Sequence, residues 1–91
     1  MLVNNTEWVG LTAGLLGIIA WLPQIQKVWF DKRHDGISLP TLSIILIALS
    51  LWLVYGVLID SFAVIISNIL AILFIGVVVV GVIRLRRSEP D

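Results

Sequence analysis

Three long apolar runs, separated by one polar loop and one very short turn, make up most of the chain. They cover residues 8–30, 39–59 and 62–83, and the third is the most continuous. A helix needs about 20 apolar residues to cross a hydrocarbon core roughly 30 Å thick, so each run is long enough. Gln24, Gln26 and Lys27 interrupt the first run near its end. Residues 31–38, beginning Asp31-Lys32-Arg33-His34-Asp35-Gly36, form a polar loop. Only Asp60-Ser61 separates the second and third runs, which predicts a tight antiparallel hairpin. The pattern predicts an all-α membrane protein with three transmembrane helices per protomer, in one domain over residues 1–91.

Composition supports a lipid solvent. Of the 91 residues 59% are hydrophobic and 13% charged, with a mean hydropathy of +1.08. Soluble domains carry about 25% charged residues, and a soluble domain this short buries only about 60% of its unfolded surface. Cysteine is absent, which excludes disulfides and thiolate metal sites. The zero formal net charge argues against a nucleic-acid partner. All six basic residues fall on one side of the predicted spans: Lys27, Lys32 and Arg33 at the loop, and Arg84, Arg86 and Arg87 after the third run. Glu7 and Asp60 mark the other side. The positive-inside rule then puts the N-terminus outside and the C-terminus in the cytoplasm. The first run does not read as a signal peptide, because no Lys or Arg precedes it and it is too long.

Within the runs, small residues recur at spacing four: Gly10 with Gly14, Ala13 with Gly17, and Ala63, Ser67 and Ala71. Such stripes let helices approach closely in lipid. Pro23 lies inside the first run and cannot donate to the carbonyl of Ile19, so a kink is expected, either a static bend or a hinge. Pro40 sits near the start of the second helix, where proline is well tolerated. Trp8 and Trp29 lie near span ends, as interface anchors do.

Asn68 and Trp52 stand out at depth. Trp52 precedes Asp60 by eight residues and Asn68 follows it by eight. At 1.5 Å per residue both lie about 12 Å below the hairpin end, at one level. An indole face beside a carboxamide suits a sugar: the ring covers the apolar C–H face and the amide meets hydroxyls. The alternative is an interhelical hydrogen bond from Asn68 and a packed Trp52. Tyr55, one turn outward from Trp52, either closes the outer mouth with Asp60 or belongs to an aromatic belt. Between Trp8 and Gln26, between Gly36 and Ile59 and between Ser61 and Ile83 there is no Asp, Glu, Lys, Arg or His, which argues against proton relays and ion-coupled sites. No nucleophile–base pair or metal cluster appears, so neither enzyme activity nor a cofactor is expected.

Three helices leave no room for a solvated path along their axis. A twofold homodimer is the commonest solution. Equal topology of both copies sets the axis along the membrane normal, giving six helices around one central site.

Pro23-Gln24, Lys27, and Asp35-Gly36-Ile37-Ser38 resemble the PQ-loop signature, and Trp52-Leu53-Val54-Tyr55-Gly56 followed by Asn68 is similar to the bacterial SemiSWEET sugar transporters. The resemblance covers about Gly10 to Ile83. It implies a triple-helix bundle pairing as a parallel homodimer in the bacterial inner membrane. It further implies facilitated diffusion of a mono- or disaccharide by alternating access. Trp52 and Asn68 would contact the sugar, Pro23 and Gln24 would form the hinge, and Tyr55 and Asp60 would lie at the outer gate. Some members carry an arginine in the turn where this chain has Ile59, so a salt-bridged gate is not implied here. The other readings are a non-transporting small membrane subunit and a PQ-loop transporter of another small solute.

Overall fold

The structure, a computed structural model, describes residues 5–89. Helix α1 spans Asn5–Ile25 and passes directly into a π-helical segment, Gln26–Phe30; α2 spans Leu39–Leu58 and α3 spans Phe62–Ser88. All three are long and apolar enough to cross a bilayer, and no strand occurs among the described residues. The expected three-helix membrane fold is therefore present. Helix α3 outlasts the apolar run that stops at Ile83. Arg84, Arg86 and Arg87 are good helix formers, and their charge suits a helix C-terminus.

Local chemistry sets the boundaries. Ser38 caps α2 by accepting from the Thr41 N–H at 3.2 Å, with Pro40 in the first turn. The α2–α3 corner follows from two backbone bonds: Ser61 N–H to Gly56 O at 2.9 Å and Asp60 N–H to Val57 O at 3.2 Å. This is the Schellman pattern, and it needs its corner residue in the left-handed region. Asp60 sits there at φ 59°, a conformation aspartate tolerates better than most residues. Ser61 then caps α3, accepting from Val64 N–H.

Helix α3 is the middle of the molecule. It packs along both α1 and α2, whereas no described α1 position comes within 8 Å of α2, Cα to Cα. Two kinds of packing hold the bundle together on α3. Near the α2–α3 turn (the turn end) the contact is between small residues. A Cβ placed on Gly10 would lie 2.9 Å from Ala63 Cβ, and one on Gly14 would lie 2.7 Å from Ser67 Cβ. Near residues 31–38 (the loop end) branched side chains fill the core: Val28, Leu42, Ile75, Val78 and Val82 are buried. Gly81 admits Val28 and Trp29 there, and Trp29 donates its indole N–H to Val77 O at 2.9 Å. Glu7 adds a polar tie at the turn end. Its carboxylate accepts from Ser61 Oγ at 2.8 Å and from the Ala63 N–H at 2.8 Å, so α1 itself caps α3.

The helix continues through Pro23, and the hydrogen-bond ladder widens to the π register three residues later. Asp31 N–H reaches back to Gln26 O at 3.0 Å. Gly14→Leu should force α1 away from α3, because overfilling a packed contact costs about 1–3 kcal/mol. A lowered thermal unfolding midpoint in detergent checks this, and the same change at Gly17, where a Cβ meets nothing within 4 Å, should cost far less.

Candidate functional site: a neutral cleft between α1 and α2

Because α1 and α2 lie on either side of α3 with no Cα of one within 8 Å of a Cα of the other, the space between them is a cleft floored by α3. Its turn-end part holds about 360 Å³ and is walled by Gly10, Ala13 and Gly14 of α1, Trp52 of α2, and Ser67 and Asn68 of α3. The lack of bulky side chains on α1 makes that room. The hairpin thus brings Trp52 and Asn68 to one hollow, at the common depth their spacing predicts.

Asn68 bonds to its own helix. Its Nδ2 donates to Val64 O at 2.7 Å, and it takes no interhelical hydrogen bond among the described residues. The carboxamide oxygen and the second N–H are therefore left for something in the cleft. Trp52 is 55% exposed and Tyr55 48% exposed. The two rings meet edge to face, with centroids 5.3 Å apart. Tyr55 thereby holds the indole at the cleft's rim. Asp60 is at the hairpin corner already described, so the two residues expected at an outer gate both sit at the turn end. Pro23 and Gln24 lie at the opposite end, beside the π segment.

The loop has its own order. Lys27 Nζ donates to Asp35 O, and its charge lies 3.8 Å from the Asp35 carboxylate. Arg33 binds both Asp35 oxygens at 3.1 Å. Gly36, at φ +77°, closes the turn. Lys27 and Asp35-Gly36 thus form one tied unit, which gives the sequence pattern a physical reason. Arg86 of α3 donates to Ile37 O at 2.6 Å and to His34 Nδ1 at 3.2 Å, while His34 Nε2 meets Glu89. The end of α3 is thereby joined to the loop.

Sequence reasoning missed three features, two in this cleft and one at the turn end. Trp21 lines it beside Asn68. The Gln24 carboxamide oxygen is enclosed without a hydrogen-bond partner among the described residues. Glu7 carries a structural bond and not only a topological charge. A lone Gln after a proline gives no signal for an unpaired oxygen, and a Glu gives none for a partner 54 residues away. No group of three or more acidic or histidine side chains placed to hold a metal occurs among the described residues.

Fold and cleft define a multi-pass helical membrane protein with an uncharged groove. Comparison with known proteins is specific. The PQ loop repeat family matches residues 6–65. A SemiSWEET sugar transporter of Bradyrhizobium diazoefficiens is 32% identical over 76 residues, covering 84% of this chain and 88% of that protein. A SemiSWEET sugar transporter of Leptospira biflexa is 27% identical, covering 77% and 82%. An uncharacterized Methanocaldococcus jannaschii protein is 38% identical over 72% of this chain and 71% of its own length. The crystal structure of a bacterial homologue of SWEET transporters superposes with a TM-score of 0.86 at 29% identity, covering 90% of this chain and 99% of that one. The chain belongs to the PQ-loop family and, within it, to the SemiSWEET group.

The loop unit has a definite pH dependence. The Arg33 guanidinium, bonded to Asp35, holds that carboxyl below its ordinary value of 3.8. A lowered folded-state value means the tie is fully present above about 3.8 and is lost only as pH falls through the lower value. Amide exchange at residues 33–37 should therefore stay slow from pH 7 to about 4, after correction for intrinsic rates, and Asp35→Asn should loosen it at pH 7.

Proposed function

We propose that this protein is a facilitative sugar transporter, a uniporter that carries a mono- or disaccharide across the membrane by alternating access as a homodimer. The observation that carries the reading is Asn68. Its one hydrogen bond among the described residues uses a single N–H on its own helix, which leaves an acceptor and a donor in a hollow it shares with an indole. A sugar ring stacks its C–H face on such an indole and bonds its hydroxyls to such an amide. The two SemiSWEET relatives, named as sugar transporters, support the substrate class. The neutral walls of the cleft fit an uncharged solute moving down its own gradient.

A single copy measures 52 × 21 × 15 Å. Three helices packed at the usual spacing of about 8–10 Å fill a cross-section of that size, so one copy encloses no path. A second copy related by an axis along the membrane normal would close the groove and set two Trp52 and two Asn68 around one site. The exposed apolar hollow of α2 lined by Ala48, Leu51, Trp52 and Tyr55, about 510 Å³, supports such a partner. Rocking of the copies then exposes the site to each side in turn, with Pro23-Gln24 and the neighbouring π segment as the hinge and the Tyr55–Asp60 end as the outer gate. The clustered basic residues at the loop end support a cytoplasmic loop and C-terminus in the bacterial inner membrane, with the N-terminus outside. The reading leaves no role for catalysis or a cofactor.

Asn68→Ala in proteoliposomes tests this. Counterflow of labelled glucose or sucrose by the wild-type protein should be lost in the variant, while its elution volume in detergent stays unchanged. Equal flux through both proteins would remove Asn68 from the site.

A further inference from the structure

The cleft does not end at Trp52 and Asn68. Gly14, Ser67 and Asn68 also belong to a second hollow, of about 260 Å³, walled further along by Gly17 and Trp21. Trp21 and Ile45 of that hollow also line a third, of about 350 Å³, at the loop end. Shared wall residues set the three hollows side by side along the bundle. The third lies between Trp21 and Gln24 of α1 and Ser38 and Thr41 at the start of α2, with Val78 of α3 as floor.

Gln24 makes this hollow more than a widening. Its carboxamide oxygen is enclosed and accepts no hydrogen bond among the described residues. A buried amide oxygen without a donor is unfavourable, and such a group calls for a partner that the folded chain does not itself supply. The hollow beside it is large enough to hold one. Rotation about the last side-chain bond, which is soft for an amide, turns the oxygen toward the hollow. Across the hollow the Ser38 hydroxyl accepts from the Thr41 N–H at 3.2 Å, which leaves its own proton to donate. An indole, a carboxamide and a hydroxyl thus recur one step along the groove, in the same neutral surroundings.

We infer that Trp21, Gln24 and Ser38 form a second binding subsite, for a neutral polyhydroxylated ring, on the loop side of Asn68. This rests on the sugar-transport reading and deepens it, because the solute then passes between two stations of like chemistry. A ring hydroxyl donates to Gln24 Oε1, another accepts from Ser38 Oγ–H, and Trp21 covers the apolar face. Gln24 acts on the solute directly, in addition to any part it has in the hinge.

The chain has no cysteine, so single thiols report without background. Thr41→Cys places one in the third hollow, and Gly17→Cys places one in the second, where a new Cβ meets nothing within 4 Å. Glucose and sucrose should each slow maleimide labelling of both single-thiol variants several-fold in reconstituted protein. Adding Gln24→Met, of similar shape but without the acceptor, should abolish protection in the Thr41→Cys protein and leave protection in the Gly17→Cys protein intact. That intact response also shows that the Gln24→Met change leaves the protein folded. Two outcomes would overturn the second subsite and leave the transport reading standing. One is protection in Gly17→Cys without protection in Thr41→Cys. The other is protection in Thr41→Cys that survives Gln24→Met. Protection of neither thiol would overturn both.

Discussion

Helix α3 is the surface on which everything else is built, because α1 and α2 each pack along it while their own Cα atoms stay more than 8 Å apart. In lipid there is no hydrophobic force to draw α1 and α2 together, since acyl chains are as apolar as their side chains. What holds each helix is close fit on α3. At the turn end that fit is glycine on small residues, Gly10 on Ala63 and Gly14 on Ser67. At the loop end it is a core of Val28, Leu42, Ile75, Val78 and Val82. The same arrangement leaves the groove. Were α1 and α2 in contact, Asn68 would be sealed, and its free oxygen and N–H would be a liability. With the groove open, they are available to a solute.

The groove also explains why the polar groups are sparse and where they fall. Hydroxyls elsewhere in the spans bond to their own helices: Thr12 donates to Trp8 O, Ser43 to Leu39 O and Ser50 to Leu46 O. Asn68 commits one N–H the same way. The Gln24 oxygen is not committed at all among the described residues. The two carboxamides beside these hollows thus keep open hydrogen-bonding capacity, each with an indole lining the same hollow. Charged groups are kept to the ends, where Glu7 ties α1 to the start of α3 and Lys27, Arg33 and Asp35 tie the loop.

The parts of this architecture governed by helix geometry are legible in the chain. The three spans follow from apolar length, and the common hollow of Trp52 and Asn68 follows from equal counts either side of Asp60. Gly10 and Gly14 read correctly as a packing face, whereas Gly17, in the second stripe, has nothing within 4 Å of a Cβ. The central position of α3 is not legible, because near-uniform apolarity hides which face of each helix meets protein and which meets lipid. Long-range bonds are equally hidden, Glu7 to Ser61 among them. Asp60 shows its charge in the sequence, whereas its backbone at φ 59° makes the corner that aligns the hairpin. The π segment after Pro23 is a third case, since a proline signals disturbed hydrogen bonding without fixing the form the disturbance takes.

The proposed function requires a single neutral site formed jointly by two copies, each contributing one Trp52 and one Asn68. Co-reconstitution of wild-type protein with Asn68→Ala, in varied proportions and with subunits allowed to exchange, tests this most directly. If both copies must contribute, sugar flux should fall as the square of the wild-type fraction. A linear fall, with each wild-type chain working regardless of its neighbour, would contradict it.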